Sequence, residues 1–194
     1  MVSVYEKVKS HDKEQKLPEI FELRASPYDS EVVAAAYARD QVHSIAIYKK
    51  DGESLQTLVE LEQPEQGHLS SIQWQDIEAK PGGSAEELVA CSRHGVLLWD
   101  LTTAQLKGAV KAAGICSIKR DPHNTNLLVY VADKSLVVHD LRQKASAIEH
   151  VEHSPFLQVD VNPIKLHAAV TSSIDAKLRF FDLKKGRLDL CYDP

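Results

Sequence analysis

The run GVLLWD, Gly95 to Asp100, is a short stretch of leucine and β-branched residues that closes on an aromatic side chain and an acid. The same ending returns in SLVVHD (Ser135 to Asp140) and KLRFFD (Lys177 to Asp182), at steps of 40 and 42 residues. A fainter copy, HSIAIYKK, lies 51 residues upstream of the first, with Tyr48 in the aromatic place and Lys49 in the acid place. The surplus length falls in DIEAKPGGSAEE (Asp76 to Glu87), a Gly/Pro/acid insertion that reads as a loop.

Strand-like content repeating every ~40–45 residues is the pattern of WD-type propeller blades. Each unit holds the same parts in the same order. A short alternating strand comes first: EIFELRAS, LSSIQWQD, ICSIKRD or FLQVDVN. In three units a turn with proline second follows (SPYDSE, DPHNTN, NPIKLH), where the fixed φ of proline suits a β-turn. An apolar strand is next: VVAAAYA, ELVACS, LLVYVA or AAVTSS. The third strand carries the aromatic–Asp ending. The fourth is more polar: SLQTLVELE, QLKGAVKAA, SAIEHVE or RLDLCYD. Continuous apolar runs belong to strands buried on both faces, and polar ones to an outer edge. VVAAAYARD has the propensity of a short helix, but its place in the repeat predicts a strand. The expected fold is all-β: about four four-stranded blades over 17–62, 63–111, 112–152 and 153–194, forming a partial ring or half-propeller. Residues 1–16 read as a polar tail or an added outer strand.

The chain has 194 residues, 43% hydrophobic and 26% charged, with a net charge of −5, so it can bury a core and offers no basic surface to nucleic acid. No apolar run reaches the ~18 residues of a membrane span, and the N-terminus lacks the apolar centre of a secretory signal. Cys91, Cys116 and Cys191 are widely spaced and form no CxxC pair, as expected of reduced thiols in a cytoplasmic protein. The sequence holds no GxSxG, HExxH or phosphate-binding glycine loop, and its histidines have no zinc-ligand spacing. No enzyme, metal or cofactor is expected.

In WD repeats a histidine before the first strand, a Ser/Thr on the second, an Asp in the tight turn and the Trp of the third form a hydrogen-bonded set, which satisfies buried polar groups. Here the set is uneven. The second unit offers His68, Ser92 and Trp99, with Arg93 in place of the turn acid; the third keeps Asp133, with His139 in place of Trp; the fourth has His153, Ser173 and Asp175. Loops between units and the second-to-third-strand turns should share one face, carrying Gln66, Gly67, Arg93, His94, Lys134 and Lys177 beside those residues. Mixed charge there suits protein recognition.

The segments PEIFELRASPYDSEVVAAAY, SLQTLVELEQPEQGHLSSIQW, ACSRHGVLLWDL, DPHNTNLLVYVADKSLVVHDLRQ and LQVDVNPIKLHAAVTSSIDAKLRFFD resemble, in order, the EARP-interacting protein family of WD-repeat proteins, also called the tumour-suppressing subtransferable candidate 1 family. The resemblance runs from about residue 18 to 186 and implies a seven-bladed ring of which this chain supplies about half. It also implies a non-enzymatic adaptor that binds subunits of the endosomal EARP and Golgi GARP tethering complexes. Such an adaptor would act in cargo retrieval and dense-core vesicle formation, peripheral to endosomes and the trans-Golgi network and without inserting into the membrane. The alternative is a substrate receptor of a cullin ubiquitin ligase, docking through Asp140 and Arg142 of HDLR, which approximates a WDxR ending. Four blades of a larger ring would leave two uncovered flanks, so self-association is a further expectation.

Overall fold

The computed structural model describes residues 18–61, 69–74, 87–92, 94–143 and 146–193. They form sixteen strands and, among these residues, no helix. The strands build four antiparallel sheets of four, each a meander in chain order. The first sheet is β1 (Glu19–Ala25), β2 (Val32–Arg39), β3 (Val42–Asp51) and β4 (Ser54–Leu61). The second is β5 (Leu69–Trp74), β6 (Glu87–Ser92), β7 (Gly95–Asp100) and β8 (Gln105–Lys111). The third is β9 (Ile115–Asp121), β10 (Asn124–Ala132), β11 (Ser135–Asp140) and β12 (Ser146–Val151). The fourth is β13 (Phe156–Val161), β14 (Ala168–Ser173), β15 (Leu178–Asp182) and β16 (Arg187–Tyr192). Each aromatic–Asp run is thus the third strand of its sheet, and VVAAAYAR is a strand. The architecture is β-propeller-like. The tail or outer strand expected before residue 17 lies outside the described residues.

Three cores lie between the four sheets, and the middle strands feed two of them at once. Leu88 and Ala90 of β6 join the core shared with the first sheet, while Val89 and Cys91 join the core shared with the third. In β10, Leu128 and Tyr130 face back and Val129 and Val131 face forward. Side chains alternate across a strand, so a strand covered on both faces must be apolar at every position. That is the physical origin of ELVACS and LLVYVA.

The third strands follow one register. Ile45 and Ile47, Val96 and Leu98, and Leu136 and Val138 all occupy the second and fourth places of the repeat and are buried against the next sheet. In the last sheet those places are Leu178 and Phe180, 40% and 41% exposed. Their cross-strand partners on β16, Tyr192 and Leu190, are exposed as well. An apolar stripe that is a core in three sheets is therefore open in the fourth.

First strands sit side by side along the series, β1 on β5, β5 on β9 and β9 on β13. Polar groups tie these junctions. The Glu22 carboxylate accepts the Ile72 N–H at 2.6 Å and the Ser71 hydroxyl at 3.3 Å. Arg24 Nε donates to the Ile72 carbonyl at 3.3 Å, and the Trp74 indole donates to the Arg24 carbonyl at 2.8 Å. At the β9–β13 junction the Val159 N–H reaches Ser117 Oγ at 3.3 Å. A first strand has no partner strand on its inner edge, so its orphan backbone groups need such acceptors and donors.

The register makes unequal costs testable. Leu136→Ala, in a buried place, should destabilise by about 2–5 kcal/mol. Leu178→Ala, at the same place in the repeat, should cost below about 1 kcal/mol because its side chain is open to water. Urea denaturation of both variants checks this; equal losses would mean that the last sheet is covered.

Candidate protein-docking face

The acid that closes the third strand in the second, third and fourth sheets is a turn cap. Asp100 Oδ1 accepts the N–H groups of Thr102 and Thr103 at 2.8 and 3.0 Å. Asp182 Oδ1 does the same for Lys184 and Lys185 at 2.9 and 3.0 Å. Asp140 Oδ1 takes the Arg142 N–H at 2.9 Å, and its carboxylate also holds the Arg142 guanidinium at 2.9 and 2.6 Å. An Asp side chain mimics a backbone turn in this way. The next residue then returns to the second strand or the turn just before it: Leu141 N–H to Asn126 O, early in β10, at 2.8 Å, and Leu183 N–H to His167 O, just before β14, at 2.7 Å. Glycine opens β7 for a different reason. Gly95 has φ +150°, and a Cβ there would lie 2.0 Å from the Val110 carbonyl oxygen.

At the other end of the strands, the hairpin tips of the third and fourth sheets meet the chain that joins them. The Asp133 and Lys134 carbonyls accept the N–H groups of Phe156 and Glu152 at 2.7 and 2.9 Å. The Pro155 carbonyl accepts the Ile174 N–H at 2.9 Å. Asp133 takes φ 50° and Ala176 φ 61°, left-handed values that make both hairpins tight. Asp133, Lys134, His153, Asp175 and Lys177 are thereby gathered at one end, with Asp133, Lys134, His153 and Asp175 exposed. Lys177 is paired with Asp193 at 2.9 Å.

The polar network beneath this end is built around Arg179, a residue the repeat pattern does not single out. Arg179 is buried, donates to Ser173 Oγ, and binds Asp175 at 2.6 and 3.1 Å. Glu152 stands 3.5 Å away on its other side and is itself held by His150 at 2.9 Å. Arg179, with Ser173, holds the Asp175 carboxyl well below the usual carboxylate range. His153, to which the sequence assigns the donor's part, is exposed and makes no hydrogen bond among the described residues. A guanidinium has five donors and serves three acceptors where an imidazole serves one or two. The only sequence signal for Arg179 is a charge in the centre of an otherwise apolar third strand.

In the second unit Ser92 Oγ donates to the Gly95 carbonyl at 3.1 Å and accepts the His94 N–H at 3.3 Å. Trp99 is buried in the first core, and its Nε1 has no hydrogen-bond partner there. The expected Ser92–Trp99 link is therefore absent among the described residues: the hydroxyl closes its own turn instead. Gln66, Gly67, His68 and Arg93 lie outside the described residues.

Elsewhere, Cys91 is buried and its thiol is pushed up by burial, whereas Cys116 and Cys191 are exposed. Among the described residues no group of three or more His, Cys, Asp or Glu could hold a metal ion, and no helix is long and apolar enough to cross a membrane. No protein-family model matches the chain, and no curated protein matches it.

Two measurements follow from these geometries. Arg179→Ala strips Ser173, Asp175 and Glu152 of a shared partner and should destabilise by about 2 kcal/mol, a buried-pair cost reduced for the partial exposure of Asp175. Thermal unfolding at neutral pH tests it. The Asp140 carboxyl is held down to about 2, chiefly by Arg142. A carboxyl lowered in the folded state contributes stability that is complete above its unfolded pKa of about 3.9 and is lost as pH falls through the folded value. Asp140→Asn should therefore be less stable than the parent at pH 7, with the gap closing as the pH falls toward 2. A gap independent of pH would remove the electrostatic explanation.

Proposed function

We propose that the chain is part of a WD-type β-propeller, its four sheets being consecutive blades, and that it works as a non-enzymatic adaptor for protein–protein interaction. The observation that carries this reading is the convergence of the 133–134 and 174–177 hairpins on the 152–155 connection. It sets exposed charges of both signs on a frame held by buried sheets. Loops fixed in this way suit recognition of another protein's surface.

The segments that resemble the EARP-interacting protein family support a narrower form of the reading. The partners are subunits of the EARP and GARP tethering complexes, and the process is retrieval from endosomes to the Golgi and formation of dense-core vesicles. The adaptor then acts in the cytoplasm and reaches endosomal and trans-Golgi membranes through those complexes. The open stripe of the fourth sheet favours association with a further sheet, from a partner or a second copy. The ubiquitin-ligase alternative draws on one observation: Arg142 is 64% exposed in its side chain while it clasps Asp140.

Affinity purification followed by mass spectrometry separates these readings. Charge reversal at Arg93 and Lys134 should reduce capture of tethering-complex subunits roughly tenfold, the scale of losing one or two interfacial charge contacts, with unchanged thermal unfolding. Arg142→Ala should leave that capture intact. Loss of a cullin adaptor on Arg142→Ala would instead support the ligase reading, and full capture by the charge-reversed protein would exclude this face.

A further inference from the structure

A cleft of about 830 Å³ opens between the second and third sheets and runs along β8 from Lys107 to Lys111. Its walls are the outer strand β8 on one side and β10 with the end of β11 on the other. Leu98, Tyr130 and Leu141 give it an apolar floor. The charged residues that line it are Lys107, Lys111, Arg120, Arg142 and a single acid, Glu87. This local sign is opposite to that of the whole chain, whose net charge is −5.

Part of that charge is committed. Glu87 binds Arg120 at 2.9 Å and also accepts from Lys107. Burial alone would raise the Glu87 carboxyl, but these two hydrogen bonds outweigh it and hold it below its ordinary value. Arg142 is paired with Asp140 yet keeps 64% of its side chain exposed. Lys111 is exposed and has no carboxylate partner among the described residues. Even with Asp140 counted, the cleft retains an excess of positive charge. Deeper in the wall, His139 is buried and its Nδ1 has no hydrogen-bond partner. A buried polar atom left unpaired calls for a partner that the described residues do not supply. The β8 strand adds a third feature. It ends its sheet, so among the described residues one row of its backbone groups has no strand beside it.

We propose that this cleft is a second docking site, which takes an extended acidic segment of a partner protein running along β8 with its carboxylates against Lys111 and Arg142. A peptide added to a free edge gains main-chain hydrogen bonds, and the cleft's charge selects its side chains. Most of its lining, including Glu87, Lys107, Arg120 and Arg142, lies at the opposite end of the strands from the hairpin face, whereas Lys111 ends β8 beside Gly95.

The probe is a fluorescein-labelled peptide of alternating glutamate and valine, titrated into the whole chain and followed by anisotropy. A lysine–valine peptide of equal length is the control. The acidic peptide should bind and the basic one should not, and binding should weaken as salt screens the charges. Lys111→Glu, which removes no contact within the protein, should weaken binding roughly tenfold, about the effect of one lost charge contact, and Arg142→Glu should do the same. Hydrogen exchange at the amides of β8 should slow in the complex. Four results would each overturn the proposal: no binding of the acidic peptide, binding indifferent to Lys111→Glu, binding without slowed β8 amides, or displacement by inorganic phosphate at constant ionic strength. The last would mark a phosphate site instead. Lys134→Glu, on the hairpin face, should leave peptide binding unchanged.

Discussion

The structure depends on strands that are covered on both faces. In β6 from Leu88 to Cys91, and in β10 from Leu128 to Val131, successive side chains enter one core and then the next, so these runs have no position that faces water. Burial of this kind is a property of stacked sheets, since a single four-stranded sheet of this composition would expose half its apolar residues. Each sheet is therefore stabilised by its neighbours as much as by its own hydrogen bonds. In the last sheet the same two places, Leu178 and Phe180, are open rather than buried.

Apolar stacking fixes neither alignment nor edges, and polar contacts supply both. The Glu22–Ile72 and Trp74–Arg24 hydrogen bonds join first strands whose inner edges would otherwise hold orphan amides and carbonyls. At the far end, Asp100, Asp140 and Asp182 fold the turn into the fourth strand, which explains why an acid closes the third. These contacts hold the hairpins and the cleft in fixed relation to the cores. A recognition surface gains from such a frame because its loops lose less freedom when a partner binds.

The strand pattern was legible because it is governed by a local rule: alternation and apolar runs record burial directly, and the period records the repeat. All sixteen strands follow from it, including VVAAAYAR, where position in the repeat outweighs helix propensity. The polar sites were legible only in part. Ser173 donates directly to Asp175, but the cation that binds both is Arg179 rather than His153. Ser92 turns to Gly95 and leaves Trp99 without a hydrogen bond. Partner choice among several polar side chains depends on distances of a few tenths of an ångström, which no spacing in the sequence encodes.

What the sequence by itself determined is the succession of sheets, their meander order and the alternation of faces, because each is written in residues close along the chain. What only the tertiary structure decided is the assignment of faces to cores and the pairing of charges. The cationic cleft is of this second kind: Lys111 and Arg142 lie 31 residues apart and on different sheets. They line one cleft only because stacking brings β8 beside β10 and the end of β11, and electrostatic interaction depends on distance in space rather than on separation along the chain.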